Sequence, residues 1–407
     1  MKRQKLGNEE VKVIKNLPTL AYCATSMTHK TFTKIPSIAI PTIDSQKNPT
    51  TIPMPSIGFG TYKFKKGSGE AKQAVIKALQ LGYTAIDTAF IYGGEHTEKE
   101  IGQALHEVSF MVPRSDVFLT SKQWRAYHGF EATLECLNKS LKRLQTDYLD
   151  LYLIHWPGPA YNAMNRRNDV MADATEGAFV YAKKGHDMDN IQDLRSETWR
   201  AMEEALYQGK CRAIGVSNFT VKHLKALKKT ARVWPPAVNQ IEMHPYFPQS
   251  ELVEYCREEG IIIEAYASLG GQDSGKKTWI ALGGKLLERA EVKAIAEKYN
   301  KTPAQVLLRW ATQQGFAVIP KSSNVEHMKL NLDCICDWAA SGDDNYDDDD
   351  DDVGDKLQET GISEEDMNIL NNLDQSAVKS REDGSIQVNE GARLCWVRDP
   401  LKMLDFE

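Results

Sequence analysis

Asp87, Tyr92, Lys122 and His155 are residues of this 407-residue chain whose types suit one shared reaction. Asp87 closes the run Thr84–Asp87, Lys122 follows Val117–Ser121, and His155 closes Tyr148–His155, where Trp156 and Pro157 interrupt the pattern. Tyr92 lies five residues beyond Asp87. A carbonyl that accepts hydride builds negative charge on its oxygen and needs a proton there. Tyrosine can give one, but an ordinary pKa near 10 makes it a weak acid. A neighbouring ammonium, here Lys122, favours the phenolate and is expected to lower that pKa. Asp87 would keep the lysine charged and oriented. His155 could hydrogen-bond the carbonyl oxygen and hold it in place. Trp124 and Trp156 would add apolar walls to such a pocket. Taken singly, each polar residue has a plain structural use: a capping aspartate, a half-buried tyrosine, a surface lysine, a strand-end histidine bonded locally. Their recurrence at the ends of consecutive strands argues for a common site.

Convergence depends on the elements that carry them. From Ser37 the sequence alternates through Ile38-Ala39-Ile40 and again through Ile52-Pro53-Met54-Pro55, a hairpin pattern. A strand follows, ending in Gly58-Phe59-Gly60-Thr61-Tyr62. Then one rhythm repeats: a helix of 3.6-residue period, a short loop, a short apolar strand. The spacing predicts helices over Ala71–Leu81, Thr97–Val108 and Phe130–Leu144, alternating with strands Thr84–Asp87, Val117–Ser121 and Tyr148–His155. It continues with helices Ser196–Gln208, Thr220–Thr230 and Gln249–Glu259, and strands Arg212–Ser217, Ala237–Glu242 and Ile261–Tyr266. A helical stretch near Leu286–Tyr299 and a helix Pro303–Gln314 lead to a last strand, Phe316–Pro320.

Such alternation specifies a parallel sheet, and eight strands fit a closed (β/α)8 TIM barrel. A doubly wound open sheet would show a glycine-rich turn after its first strand, opening a helix. Here Gly58-Phe59-Gly60 runs on into Thr61-Tyr62-Lys63, with no third glycine in place. The barrel is the expectation, as one domain over residues 37–407 with a flexible extension over 1–36. In a barrel the four polar residues meet at the mouth formed by the strand C-termini.

Two segments break the rhythm. Gly158–Arg195 is long and polar and hangs from the strand that carries His155, as a lid would. Asp347–Asp352 is an unbroken acidic run within 339–359, expected to be a disordered, solvated insertion. Ile362–Leu373 returns to helix, introduced by Ser363 with Asp366 three residues on. Composition narrows the class. A net charge of −6 gives no general attraction to nucleic acid or to an anionic membrane. No apolar run approaches the roughly 20 residues that span a bilayer. The basic start is followed by Glu9 and Glu10, unlike a secretory signal. Seven scattered cysteines without a CxxC pair suggest reduced thiols, a cytoplasmic setting and no metal site. Cys334 and Cys336 have the spacing of two residues on one face of a strand. Gly270–Lys276 has the spacing of a phosphate-cradling loop, but Lys277 stands where Ser or Thr is needed.

The run Gly82-Tyr83-Thr84-Ala85-Ile86-Asp87-Thr88-Ala89 with Tyr92, the run Leu149–Pro157 and the run Ile319-Pro320-Lys321-Ser322 resemble the three signature regions of the aldo-keto reductases. Gly215–Phe219, Asn239–Glu242 and Ala265–Gly270 add supporting matches, so the resemblance covers about residues 52 to 375. It implies an NADPH-dependent carbonyl reductase on a (β/α)8 barrel, with Asp87, Tyr92, Lys122 and His155 as catalytic tetrad and Tyr92 as the acid. It implies a monomer whose partner is a small-molecule carbonyl, aldose or dicarbonyl, with Tyr62, Tyr92, Trp124, His155 and Trp156 facing substrate. For the cofactor it implies Thr61 and Asp87 at the mouth and Ser217, Asn218 and Gln240 on the nicotinamide carboxamide. Tyr266 matches the aromatic stacked on the ring, and Leu269 and Gly271 the loop over the pyrophosphate. Lys321, Ser322, Asn324 and His327 fall around the 2′-phosphate, and Asn331 by the adenine. Ser217 and Asn218 have a simpler use as helix N-caps before Thr220–Thr230.

Departures from the pattern matter. His327 stands where many members carry arginine; it lacks that fork and much of its charge near neutrality, so NADH is a second candidate. Tyr62 replaces a tryptophan, and Ala267-Ser268 replaces a common Ser-Pro. The tail 384–407 is expected to fold over the mouth and select substrates. The family also holds barrels that bind cofactor with little turnover, the ion-channel β subunits and lens crystallins; a regulatory or structural role is therefore the alternative. The same four groups serve alcohol oxidation as readily as carbonyl reduction.

Overall fold

Parallel strands separated by helices must hide both faces of their sheet, and this chain does so by closing the sheet on itself. The computed structural model describes residues 12–13, 35–158, 191–271, 284–335 and 361–373. In chain order the strands are β1 (Lys12–Val13), β2 (Ser37–Ile43), β3 (Pro49–Pro55), β4 (Phe59–Gly60), β5 (Ala85–Asp87) and β6 (Phe118–Gln123). They continue as β7 (Leu149–Ile154), β8 (Cys211–Ser217), β9 (Val233–Trp234), β10 (Val238–Glu242), β11 (Ile262–Tyr266) and β12 (Ala317–Val318). Strands β4 to β8 and β10 to β12 form one eight-stranded sheet, each paired in parallel with its neighbour in sequence. A parallel bridge between Ile57 and Val318 joins its two edges, with Gly58 N donating to Val318 O at 2.8 Å. The approach is close: a Cβ on Gly60 would lie 2.6 Å from the Ile319 carbonyl oxygen. The (β/α)8 barrel expected from the alternation is the observed architecture.

Helices cover the outside through apolar stripes at three- and four-residue spacing. Phe130–Leu144, for example, buries Cys136, Leu137, Leu141 and Leu144. Start signals hold where the sequence carries them. Thr302 and Gln305 form a capping box for Pro303–Gln313, and the Ser363 hydroxyl accepts from Asp366 N ahead of Glu364–Asn371. The antiparallel hairpin β2–β3 packs Ile38, Ile40 and Met54 against Ala85, Phe118, Leu151 and Ala213, closing the barrel floor. The Thr42 hydroxyl donates to Arg212 O at 2.6 Å and ties the hairpin to β8.

Strand parity places the site. Successive side chains on a strand point to opposite faces, so i, i+2 and i+4 share one. Ala85, Phe118, Leu151, Leu153, Ala213 and Val238 all belong to the cluster that meets the hairpin inside the barrel. Stepping by two from those positions brings Asp87, Lys122, His155, Ser217 and Gln240 to the same interior face, higher up. The floor is apolar and the mouth polar because the interior rows of β5, β6, β7, β8 and β10 lead to Asp87, Lys122, His155, Ser217 and Gln240.

Three expectations need correction. The last strand is narrower than Phe316–Pro320, since only Ala317 and Val318 pair with β11. Cys334 is not on a strand: the helix Val325–Leu332 runs directly into a 3-10 turn, Asp333–Ile335. That turn is held by Lys301 and Gln305, whose side chains both reach Asp333 Oδ2. Buried packing, not strand alternation, explains Cys334, while Cys336 lies outside the described residues. Also outside them are most of the extension 1–36, residues 159–190 of the expected lid, the phosphate-loop look-alike beyond Gly271, the acidic run and the tail from Gly384. The lid's last residues are helix instead, since the helix expected from Ser196 already begins at Ile191. No described helix is long and apolar enough to cross a membrane.

Candidate active site

Three consecutive strand ends, those of β5, β6 and β7, deliver the four residues that the sequence singled out. Lys122, at the end of β6, is fully buried. Its Nζ lies 2.8 and 2.7 Å from the two carboxylate oxygens of Asp87 on β5, and 2.7 Å from Thr88 O. It also donates to the Tyr92 hydroxyl at 3.4 Å. A surface lysine is thereby ruled out. Tyr92 sits in the loop after β5, with its ring centroid 5.8 Å from that of His155. Trp124 stands on the other side of His155, centroids 5.7 Å apart, and is half-buried. Trp156 stacks on His155 from beneath at 6.4 Å, is buried, and has the Arg125 guanidinium 5.7 Å from its ring. Tyr62, 40% exposed, leans over Tyr92 with ring centroids 5.0 Å apart.

The electrostatics differ from the sequence expectation in one respect. Burial first, then the Asp87 carboxylate, hold Tyr92 well above its ordinary pKa, despite the lysine nearby. Lys122 bonds both Asp87 oxygens, so the carboxylate offsets part of its pull on the resting phenol. The phenol therefore stays protonated and able to donate. Burial, with Lys122 and Arg125, drives His155 well below its usual value, leaving a neutral imidazole. Its Nδ1 is buried and accepts from or donates to no described residue.

The cofactor-assigned residues gather at the adjoining strand ends. The Ser217 hydroxyl donates to Gln240 O at 2.8 Å. Asn218 Nδ2 donates to His155 O and Ser217 Oγ, both at 3.0 Å, and Oδ1 accepts from the Tyr266 hydroxyl at 2.7 Å. One side chain thus links the ends of β7, β8 and β11. Asn218 and Ala267, just past β8 and β11, both have positive φ, +63° and +54°. Non-glycine residues in the left-handed region are sparse and concentrate at functional sites. Neither Ser217 nor Asn218 caps the next helix; Thr220 does, accepting from His223 N.

Thr61 is buried, its hydroxyl donating to Asp87 O at 2.8 Å. Leu269 and Gly271 follow Tyr266 on the half-buried loop beyond β11. Lys321 is exposed, with its ammonium 4.4 Å from the Phe64 ring. Ser322 hydrogen-bonds to the backbone of Asn324. Asn324 caps the helix Val325–Leu332 by accepting from Glu326 N and His327 N. His327 is exposed in the first turn of that helix, and Asn331 is buried at its other end.

These residues fit a nicotinamide dinucleotide. Gln240 Nε2 donates to Asp87 Oδ2 at 2.9 Å and to Glu264 Oε2 at 2.6 Å, and its Oε1 accepts from no described side chain. That leaves an acceptor at the mouth for an amide N–H, beside the flat ring of Tyr266. Lys321 offers a cation to a phosphate, beside a helix start whose dipole favours an anion.

Glu264 was missed by the sequence reading. It lies on the interior face of β11, is buried, and has a carboxyl raised to about 7, chiefly by burial and then by Asp87. Its signal was available: a carboxylate in the middle of the otherwise apolar strand Ile261–Tyr266. Among the described residues no cluster of His, Cys, Asp and Glu is placed to hold a metal.

Comparison with known proteins agrees with this geometry. The family model described as Aldo/keto reductase family matches residues 56–337. The chain is 39% identical to the glyoxal reductase of Bacillus subtilis (strain 168), over 74% of this chain and 90% of that protein. It is 38% identical to the NADPH-dependent D-xylose reductase of Meyerozyma guilliermondii, over 69% of this chain and 85% of that protein. With the glycerol 2-dehydrogenase (NADP(+)) of Hypocrea jecorina it shares 37% identity, over 69% of this chain and 83% of that protein. The crystal structure of an aldo/keto reductase from Brucella melitensis superposes with a TM-score of 0.61 at 32% identity, covering 84% of this chain and all of that one. With the barrel, the converging strand ends and these matches in hand, the chain belongs to the aldo/keto reductase family.

Proposed function

We propose that this protein reduces aldehyde or ketone groups of small molecules to alcohols with NADPH, NADH being the second candidate, and that Tyr92 gives the proton. One observation carries the reading: Tyr92 is held protonated, 3.4 Å from a lysine that is itself locked to a buried aspartate. The names of relatives, glyoxal reductase, glycerol 2-dehydrogenase and D-xylose reductase, support small polar carbonyls and polyols as the substrate class.

A bound nicotinamide supplies the hydride that the carbonyl carbon takes. Gln240, Ser217, Asn218 and Tyr266 would hold its ring, with Lys321, Ser322, Asn324 and His327 toward its phosphate end. Tyr92 transfers its phenolic proton to the carbonyl oxygen as charge develops there. Lys122, held in place by both Asp87 oxygens, stabilises the phenolate left behind. Neutral His155 offers a directed ring nitrogen that positions the oxygen without competing for the proton. Tyr62 and Trp124 wall the opening and exclude water from the transfer.

The test is NADPH oxidation with a panel of aldehydes, run beside Tyr92→Phe and with NADH in parallel. Turnover that falls at least roughly a hundredfold in the variant, the low end of acid-base contributions, is the expected result. Tight cofactor binding with no turnover on any carbonyl would replace this reading by a regulatory barrel. Absence of cofactor binding would defeat both.

A further inference from the structure

Two carboxylates, Asp87 and Glu264, meet at one amide inside the mouth, and the tetrad uses the first of them. Asp87 and Glu264 sit on β5 and β11 and reach the same nitrogen, Gln240 Nε2, at 2.9 and 2.6 Å. Gln240 and Glu264 are register partners on neighbouring strands, so the contact is built into the sheet. An amide held by one hydrogen bond can swing about it. Two bonds from the same nitrogen to fixed acceptors set the plane of the amide and send its oxygen the other way.

We propose that Glu264 is a positioning residue for cofactor: by taking one N–H of Gln240 while Asp87 takes the other, it turns Gln240 Oε1 toward the mouth as the acceptor for the nicotinamide carboxamide. This rests on the nicotinamide reading above. The charged groups facing Glu264 are Asp87 from β5 and Lys122 from β6, with the Tyr92 hydroxyl feeling both carboxylates. Gln240 comes from β10, and β12 sets uncharged Ala317 opposite Glu264.

The hold on Gln240 is firmest while Glu264 is ionised. A protonated carboxyl keeps a carbonyl oxygen that still accepts from Gln240, but the bond is then neutral and about half as strong. Burial and Asp87 raise the Glu264 carboxyl to about 7, so this weakening falls near neutrality. Cofactor affinity should then fall modestly, toward that of a neutral side chain at the same place, as pH falls through that range.

The experiment measures NADPH dissociation constants for the full-length protein and for Glu264→Met and Glu264→Gln, with thermal melting to confirm folding. At about pH 8, removing the acceptor in the Met variant should weaken binding about tenfold, the scale of one hydrogen bond to a charged group. The Gln variant keeps an acceptor oxygen and should stay within about threefold of wild type. Between about pH 8 and 6 the wild type should weaken relative to the Gln variant, the titration of the cofactor phosphate being common to both. In a Gln240→Leu background the Met substitution should have no further effect. Met binding like wild type, Gln weakened as far as Met, or an undiminished Met effect in the Gln240→Leu background would each overturn the proposal. Should Met fail to fold, a Gln variant that keeps the wild-type pH dependence overturns it alone. A wild type that binds neither NADPH nor NADH would instead overturn the nicotinamide reading on which this rests.

Discussion

Lys122 and Asp87 form a buried ion pair in which one ammonium bonds both carboxylate oxygens, at 2.8 and 2.7 Å. Neither side chain has meaningful access to water, being 0% and 4% exposed. Such a pair adds little net stability, but removing one partner strands the other charge. Asp87→Asn should therefore destabilise the fold by about 3–5 kcal/mol. It should also release the Lys122 ammonium from its fixed position by Tyr92, lowering turnover. Urea unfolding and steady-state rates on the same preparation check both parts. Unchanged stability would show that Lys122 does not depend on the Asp87 carboxylate in the folded protein.

Tyr92 should remain a phenol across the whole working range of pH. Burial and Asp87 hold it above its ordinary value of 10.0. The difference in phenolate absorbance between wild type and Tyr92→Phe, both without cofactor, should be absent up to about pH 10. A phenolate signal near neutrality would mean that Lys122 dominates after all.

Glu264 makes the fold less stable as pH rises. Its native pKa lies above the usual 4.5, near 7, so the folded chain holds this proton more tightly than the unfolded one. The stabilisation is fully present below about pH 4.5 and is lost as pH climbs through about 7. Glu264→Gln cannot lose a proton. Its stability advantage over wild type should grow from about pH 5 to about pH 8, as read from urea midpoints at each pH. A constant difference would place the carboxyl at an ordinary value.

Gly215 is fixed by contact. A Cβ there would lie 2.6 Å from Val238 O and 2.8 Å from Leu153 Cδ2, inside the barrel. Gly215→Ala should cost about 1–3 kcal/mol by overpacking. It should also shift Ser217 and Asn218, two and three residues on, so cofactor affinity should fall with stability. A variant as stable as wild type would show that β8 and β10 can part to admit the methyl.

The sequence by itself determined the barrel and the four residues at its mouth, because both follow from local pattern. Strand and helix periods are written in neighbouring residues, and Asp87, Lys122 and His155 are visible as polar ends to apolar runs. The motif resemblance assigned cofactor contacts only by position. Tertiary structure decided how those groups behave. Whether Tyr92 is driven up or down depends on a sum of burial and charges from β5, β6 and β11, and no single stretch holds that sum. Glu264 was legible as an odd residue in an apolar strand, but its meaning came from the register that sets it beside Gln240. Asn324 matched a phosphate contact in sequence and also caps a helix in the structure. Ser217 and Asn218, taken alone, read more simply as helix caps, and the fold gives that task to Thr220. Desolvation and hydrogen-bond geometry arise between strands far apart in the chain, and closing the barrel is what brings those strands together.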